Sequence, residues 1–213
     1  MKEVMPRDQE SLASLIEQEG LSPRVVAAFR AVDRAGFVPR DARREAYRDR
    51  PITIGENQTT SQPSLIARMV EAAELEPDER VLEVGTGYGF QTAVLAQLAA
   101  EVVSIDRHAS LVEVARANLA AAGIENVELV VGDGWQGWPE RAPYAAIVVS
   151  AGAAELPTAF EEQLVEAGRL VIPLTGGLGD DVYIFKKVDG RLTRQRLLTP
   201  ARFVPLVRED ENP

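Results

Sequence analysis

Cysteine is absent from these 213 residues. That removes a disulfide framework, a thiolate metal site and a cysteine nucleophile together. Histidine is nearly absent: His108 is the single copy. A histidine-built zinc site or a histidine-dependent triad has little to work with, and no metal is expected. No apolar run reaches the roughly 18 residues that a membrane span requires. The opening MKEVMPRDQE lacks the apolar core of a signal peptide, so a cytoplasmic location is the default expectation and no membrane partner is expected. Positive charge is the scarce sign. The chain has 23 Lys and Arg against 33 Asp and Glu, a net charge of −10. Non-specific nucleic-acid binding rests on cations that neutralise phosphates, so nucleic acid is not expected as a partner either. What is present is 46% hydrophobic residues, ample for one core, and a length that fits one domain with an appendage. There is no internal repeat.

The chain is organised around Val81 to Phe90, VLEVGTGYGF. Val81, Leu82 and Val84 read as a buried strand, followed by Gly85, Gly87 and Gly89. The next run, QTAVLAQLAA, has strong helix propensity. Strand, glycine turn and helix is how an open α/β sheet cradles a nucleotide at a strand's carboxyl end. A dinucleotide fingerprint would be G-x-G-x-x-G, but Phe90 takes the third glycine's place. The pattern is Glu83-x-Gly85-x-Gly87-x-Gly89, which resembles motif I of class I methyltransferases, binders of S-adenosylmethionine. A cationic sulfonium would make Glu83 useful near that site.

Glu101 to Asp106 reads as the second strand. Asp106 lies close to the offset of about 20 residues at which an acid accepts from ribose hydroxyls. Capping the following helix competes for the same side chain. Ile124 to Asp133 reads as the third strand, ending in Gly132-Asp133-Gly134. There a carboxylate can accept from an adenine amino group, though Asp and Gly are also common in plain turns. Trp135 and Trp138 are expected in the core, and His108 is expected to face solvent.

The N-terminal part reads as three helices: residues 7–20, a second from Ser22-Pro23, and a short third from Asp41 to Tyr47 with Arg43 and Arg44 on a solvated face. Pro51 to Ile54 can be a short strand. A polar loop then delivers Thr59, Thr60 and Ser61 to the helix opened by Pro63. A helix N-terminus is a ready site for a carboxylate, yet Ser61 capping its own helix is equally open on spacing alone. Downstream, Pro143 to Ser150 reads as a fourth strand and Ala151 to Ala154 as a small-residue loop with room for a substrate. A helix is expected over Glu155 to Val165 and a fifth strand over Gly168 to Leu174, with a flexible turn at 176–179. Two antiparallel strands, Asp181 to Val188 and Arg191 to Val204, flank the turn Asp189-Gly190. The tail REDENP is expected to be disordered.

These residues together resemble the protein-L-isoaspartate O-methyltransferases over nearly the whole chain. The resemblance rests on FVP with AYRDRPITIG, QTTSQP, VLEVGTGYGFQTAVLA, NVELVVGDGWQGWPERAPYAAIVV, GRLVIPL and RFVPLV. It implies an α/β fold: a doubly wound, Rossmann-like methyltransferase sheet with helices on both faces, an N-terminal helical extension and antiparallel C-terminal strands. It divides the chain into residues 1–78, which carry the substrate-binding loop, a cofactor core over 79–207, and the tail from 208. It also implies methylation of L-isoaspartyl α-carboxylates in damaged proteins or peptides, by a monomer, with S-adenosylmethionine becoming S-adenosylhomocysteine. Ser61 matches the family's active-site serine and Thr59 its neighbouring hydroxyl. Glu83, Gly85, Thr86, Gly87, Tyr88, Asp106, Arg107, Asp133 and Gly134 are the cofactor-binding candidates. Thr60 replaces an isoleucine, Tyr88 a serine, and the loop after Ser150 lacks a proline. Two alternatives are a carboxyl methyltransferase dedicated to one aspartate of a natural-product peptide and a non-catalytic homologue that binds S-adenosylmethionine.

Overall fold

Seven strands form one sheet in the order β5-β4-β3-β6-β7-β8-β9. The computed structural model describes residues 6–177 and 179–208. The central strands are β3 (Arg80–Val84), β4 (Glu101–Asp106), β5 (Val127–Val131) and β6 (Tyr144–Val149). They pair in parallel with β7 (Leu164–Thr175), and β8 (Asp180–Val188) and β9 (Arg191–Ala201) extend the sheet antiparallel. Every residue of β6 is buried, as expected of a parallel strand covered on both faces. The order reverses between β3 and β6, which sets a crevice at their carboxyl ends. The β8–β9 hairpin turns at Asp189-Gly190 with φ of 51° and 76°, the paired positive values that a tight hairpin turn needs.

One face of the sheet is covered by α1 (Gln9–Gln18), α2 (Pro23–Ala31), α3 (Pro63–Ala72) and α4 (Phe90–Ala96), with Leu119 of α5 (Ala109–Ala121). Asp8 and Ser22 cap α1 and α2. The other face packs Trp135, Tyr144 and Phe160, the last from the short α6 (Thr158–Gln163). Phe90, whose bulk rules out the dinucleotide fingerprint, has a structural use. Its ring meets Phe29 at 5.7 Å and Phe37 at 6.1 Å. All three rings are buried, each contributing about 2–3 kcal/mol, and so join the N-terminal helices to the glycine-turn helix.

Three expectations change. The third N-terminal helix is a 3₁₀ segment, Arg40–Glu45. The helix expected over Glu155 to Val165 is only six residues long, because Pro157 disfavours helical backbone in the residue before it, and β7 begins at Leu164. The last strand stops at Ala201, not Val204. Leu178 of the expected flexible turn and residues 209–213 of the expected disordered tail lie outside the described residues, while Arg208, the tail's first residue, is held by Glu155 and sits 4.2 Å over the Trp135 ring.

Candidate active site

The glycine turn is built by the strands beneath it. Gly85 has φ +98°, a conformation that favours glycine. A Cβ there would lie 3.2 Å from that of Ser150. Its N–H donates to the Ile105 carbonyl and that of Ser150 to Val84, both at 2.8 Å. The ends of β4, β3 and β6 are thereby joined across the switch point. Asp106 accepts from the Gly87 N–H at 2.9 Å through Oδ2 and from the His108 N–H at 3.0 Å through Oδ1. It does not cap α5, whose N-cap is His108 without a side-chain bond. A carboxylate has about four acceptor positions, so Asp106, which lines the cleft, could still accept from ribose hydroxyls.

Glu83 lies elsewhere than expected. It is 0% exposed and does not line the cleft. It accepts from Ser104 Oγ at 2.6 Å, Gln91 Nε2 at 3.0 Å and the Thr92 hydroxyl. Burial pushes its carboxyl up to about 7, against those three donors. Gln91 also donates to Ser150 Oγ at 2.9 Å. Glu83 therefore holds the turn from below and does not face a ligand. Asp133 is also set back: its Oδ1 accepts from the Trp135 N–H at 2.9 Å, and the cleft wall there is Gly134. A Cβ on Gly134 would come within 2.5 Å of Val84 Cγ1, so glycine is what lets this turn close against β3.

Opposite the glycine turn stands the hairpin of β1 (Ile52–Thr53) and β2 (Thr59–Thr60). Beneath it is a fully buried cation, Arg34. It donates to the carbonyls of Ala46 at 2.6 Å, Arg48 at 3.2 Å, Arg50 at 3.3 Å and Ser61 at 3.0 Å, and its guanidinium sits 5.6 Å from the centre of the Phe90 ring. Burial pulls its pKa down to about 10, which leaves it charged at neutral pH. The N-terminus of α3 is already occupied. Asp49 accepts there from the Ser64 N–H at 2.8 Å and from Gln62 Nε2 at 2.9 Å. Ser61 does not cap the helix; the N-cap is Gln62, without a side-chain bond. Ser61 lines the cleft.

One cavity of about 180 Å³ joins the two sides. Thr59, Thr60 and Ser61 line it together with Gly85, Thr86, Gly87, Tyr88, Asp106, Arg107 and Gly134. Of the eleven candidates, only Glu83 and Asp133 are missing from that wall. His108 lines the cleft and does not simply face solvent, with Nδ1 4.0 Å from Glu56. The loop after β6 is pinned, not open. Gly152 bonds with Val204 and Leu206 at 2.8 Å, and Ala153 with Pro173 and Thr175, so only Ser150 and Ala151 reach the cavity. Residues 204–207 supply the rest of that wall.

Sequence reasoning missed Arg34 and Asp49, and it did not name Ser150 or residues 204–207 as site residues. An arginine inside the apolar run AVDRAGFVP was the available sign of Arg34; for residues 204–207 it was RFVPLV, one of the segments that carry the family resemblance.

Known proteins resemble this chain in sequence and fold. An Opitutus terrae protein-L-isoaspartate O-methyltransferase is 48% identical over 197 residues, covering 92% of this chain and 84% of that protein. A solved protein-L-isoaspartate O-methyltransferase superposes with a TM-score of 0.83 at 33% identity, over 92% of this chain and 65% of that one. A Plasmodium falciparum structure of the same designation, in complex with S-adenosyl-L-homocysteine, shares the fold with a TM-score of 0.82 at 24% identity, over 95% of this chain and 99% of that one. The family model described as protein-L-isoaspartate(D-aspartate) O-methyltransferase matches residues 7–211, and this chain belongs to that family.

Proposed function

We propose that this protein methylates the α-carboxylate of L-isoaspartyl residues in damaged proteins and peptides, with S-adenosylmethionine as methyl donor. The observation that carries the reading is the single cleft that the glycine turn and Asp106 line together with Thr59 and Ser61. The cleft suits that donor: a turn closed by Gly85 and Gly134, and a carboxylate at its rim with acceptor positions to spare. When bound, the cofactor supplies an activated methyl group on a sulfonium. Asp106 would hold its ribose and Gly85 to Tyr88 its amino-acid end, with Arg107 and Gly134 along its edge. Glu83 would contribute by fixing the turn, and Asp133 by shaping the turn that presents Gly134.

The substrate carboxylate is ionised at neutral pH, its reference pKa being about 4, so no general base is needed. The protein's task is alignment in a site cleared of water, worth about 7–11 kcal/mol in favourable cases. Ser61 donates to the substrate carboxylate and Thr59 supports it. Since Asp49 fills the N-terminus of α3, that donation comes from the hydroxyls and not from the helix end. We further assign residues 1–78 to the substrate side and 79–207 to the cofactor side, and place the protein in the cytoplasm, where S-adenosylmethionine is made, as a monomer without nucleic-acid partners. The completeness of the cleft within one chain supports the monomer, and the charge of −10 argues against nucleic acid.

Two synthetic peptides differing only in one L-isoaspartyl or L-aspartyl residue test the activity. Labelled methyl should appear on the isoaspartyl peptide alone. Transfer to neither, with cofactor binding intact, would sink the proposal.

A further inference from the structure

A second hollow opens from the far side of Ser61. Its volume is about 320 Å³, and it shares Thr59 and Ser61 with the cleft. From there it runs past Gln62, Leu65 and Arg68 of α3 to Thr199, Ala201 and Arg202 at the end of β9. An extended polypeptide advances about 3.3 Å per residue, so a chain with its reactive residue at Ser61 has neighbours that must leave through the walls around it. This hollow is one such exit, and Gln62, Ser64 and Thr199 are among the polar residues that line it.

Its charge is the opposite of the protein's. Residues 191–202 carry Arg191, Arg194, Arg196 and Arg202 with no acidic residue, in a chain of net charge −10. The bland explanation is that charged side chains guard an edge strand against pairing with other chains. It fits Arg194, which lies 5.1 Å over the Tyr183 ring, and Arg191, which pairs with Glu161 at 3.2 Å. It does not account for Arg202, which follows the strand and lines the hollow. Arg202 is exposed and has no hydrogen bond or ion pair among the described residues. The hollow's other cation, Arg68, is held by Glu19. Among the described residues, Arg202 is thus the unpaired cation lining the path that a bound polypeptide would take.

We propose that this hollow is a subsite for the residues flanking the methylated position and that Arg202 makes it favour flanks carrying carboxylate side chains. The inference rests on the activity proposed above. A guanidinium and a carboxylate pair geometrically as a fork, and an otherwise acidic protein has reason to place a cation where an acidic substrate must approach.

Three isoaspartyl peptides, with acidic, neutral or basic flanks on both sides, test it at low salt. Exposed ion pairs of this kind are worth about 0.2–1 kcal/mol, so kcat/KM should favour the acidic flank over the neutral one by about 1.4- to fivefold, mainly through KM. The preference should fade at high salt, where exposed charges are screened. Arg202→Ala should abolish it and Arg202→Glu should reverse it, with kcat on the neutral peptide unchanged; the side chain's exposure makes both variants safe for folding. Binding of the same peptides followed by fluorescence anisotropy should show the same order. Methylation without a flank preference, or a preference that survives in Arg202→Glu, overturns the subsite and leaves the activity standing. Methylation of none of the three overturns both.

Discussion

Each side of the cleft rests on a buried charge, and the two charges are held differently. Under the glycine turn lies Glu83, satisfied by side chains 8, 9 and 21 residues away. Under the hydroxyl-bearing hairpin lies Arg34, held through its two terminal nitrogens by four backbone carbonyls, from residues 46, 48, 50 and 61, while its Nε has no partner among the described residues. Side-chain partners leave a trace in sequence, since Gln91, Thr92 and Ser104 must be polar. Carbonyl partners leave none, because every residue has one. A cofactor site built the first way is written in its motif, whereas a substrate loop built the second way is shaped by a residue whose partners could be any sequence.

The largest effect should come from removing the cation. Arg34→Met should cost several kcal/mol of stability, since each buried carbonyl left unpaired costs about 1–3 kcal/mol, with Arg34→Lys recovering part of it. Denaturant midpoints would show this. An unchanged midpoint in Arg34→Met would mean the hairpin stands without its buried charge.

Glu83 gives a pH signature. Its carboxyl titrates near 7 in the folded protein against an ordinary 4.5. Between those values the folded chain holds a proton that the unfolded chain has lost. Stability is therefore highest below 4.5 and falls as pH rises to 7, by about 3 kcal/mol from this group. Glu79 and Glu101 are shifted downward by arginine partners and act in the opposite sense, in the window below 4.5. Urea midpoints at pH 5 and 7.5 should differ accordingly, and Glu83→Gln should flatten the difference. A slope identical in wild type and variant would mean that Glu83 is charged throughout.

Smaller changes separate the roles of the two walls. Ser61→Ala should lower kcat/KM for an isoaspartyl peptide by about 30-fold, the loss of a hydrogen bond to a charged group worth about 2 kcal/mol, with cofactor affinity unmoved. Asp106→Asn should do the reverse, weakening cofactor binding about tenfold by calorimetry while leaving peptide affinity intact. If both variants moved the same constant, the two walls would not divide the work as proposed.

Most of the sheet was legible because β3 and β4 are short apolar runs bounded by glycine or by acids, because β6 is one bounded by Pro143 and Ser150, and because Asp189-Gly190 marks its hairpin. Asp106 was legible from its distance to Gly87, which it contacts. Glu83 was misplaced for a physical reason: strand alternation says that a side chain faces one side or the other, not whether that side is cleft or core. Three neighbouring donors turned an acid expected at the ligand into an internal brace. Asp49 was missed because its helix lies beyond an intervening hairpin, so the cap is supplied from 15 residues away.

The wall supplied by residues 204–207 has a consequence for synthesis. Those residues reach the cavity only by pairing with Gly152, more than 50 positions earlier. While a ribosome still holds residue 207 in its tunnel, the emerged chain can form its central strands, but its cleft lacks a side. The protein becomes competent to bind once residue 207 has left the tunnel, and not gradually as the sheet forms.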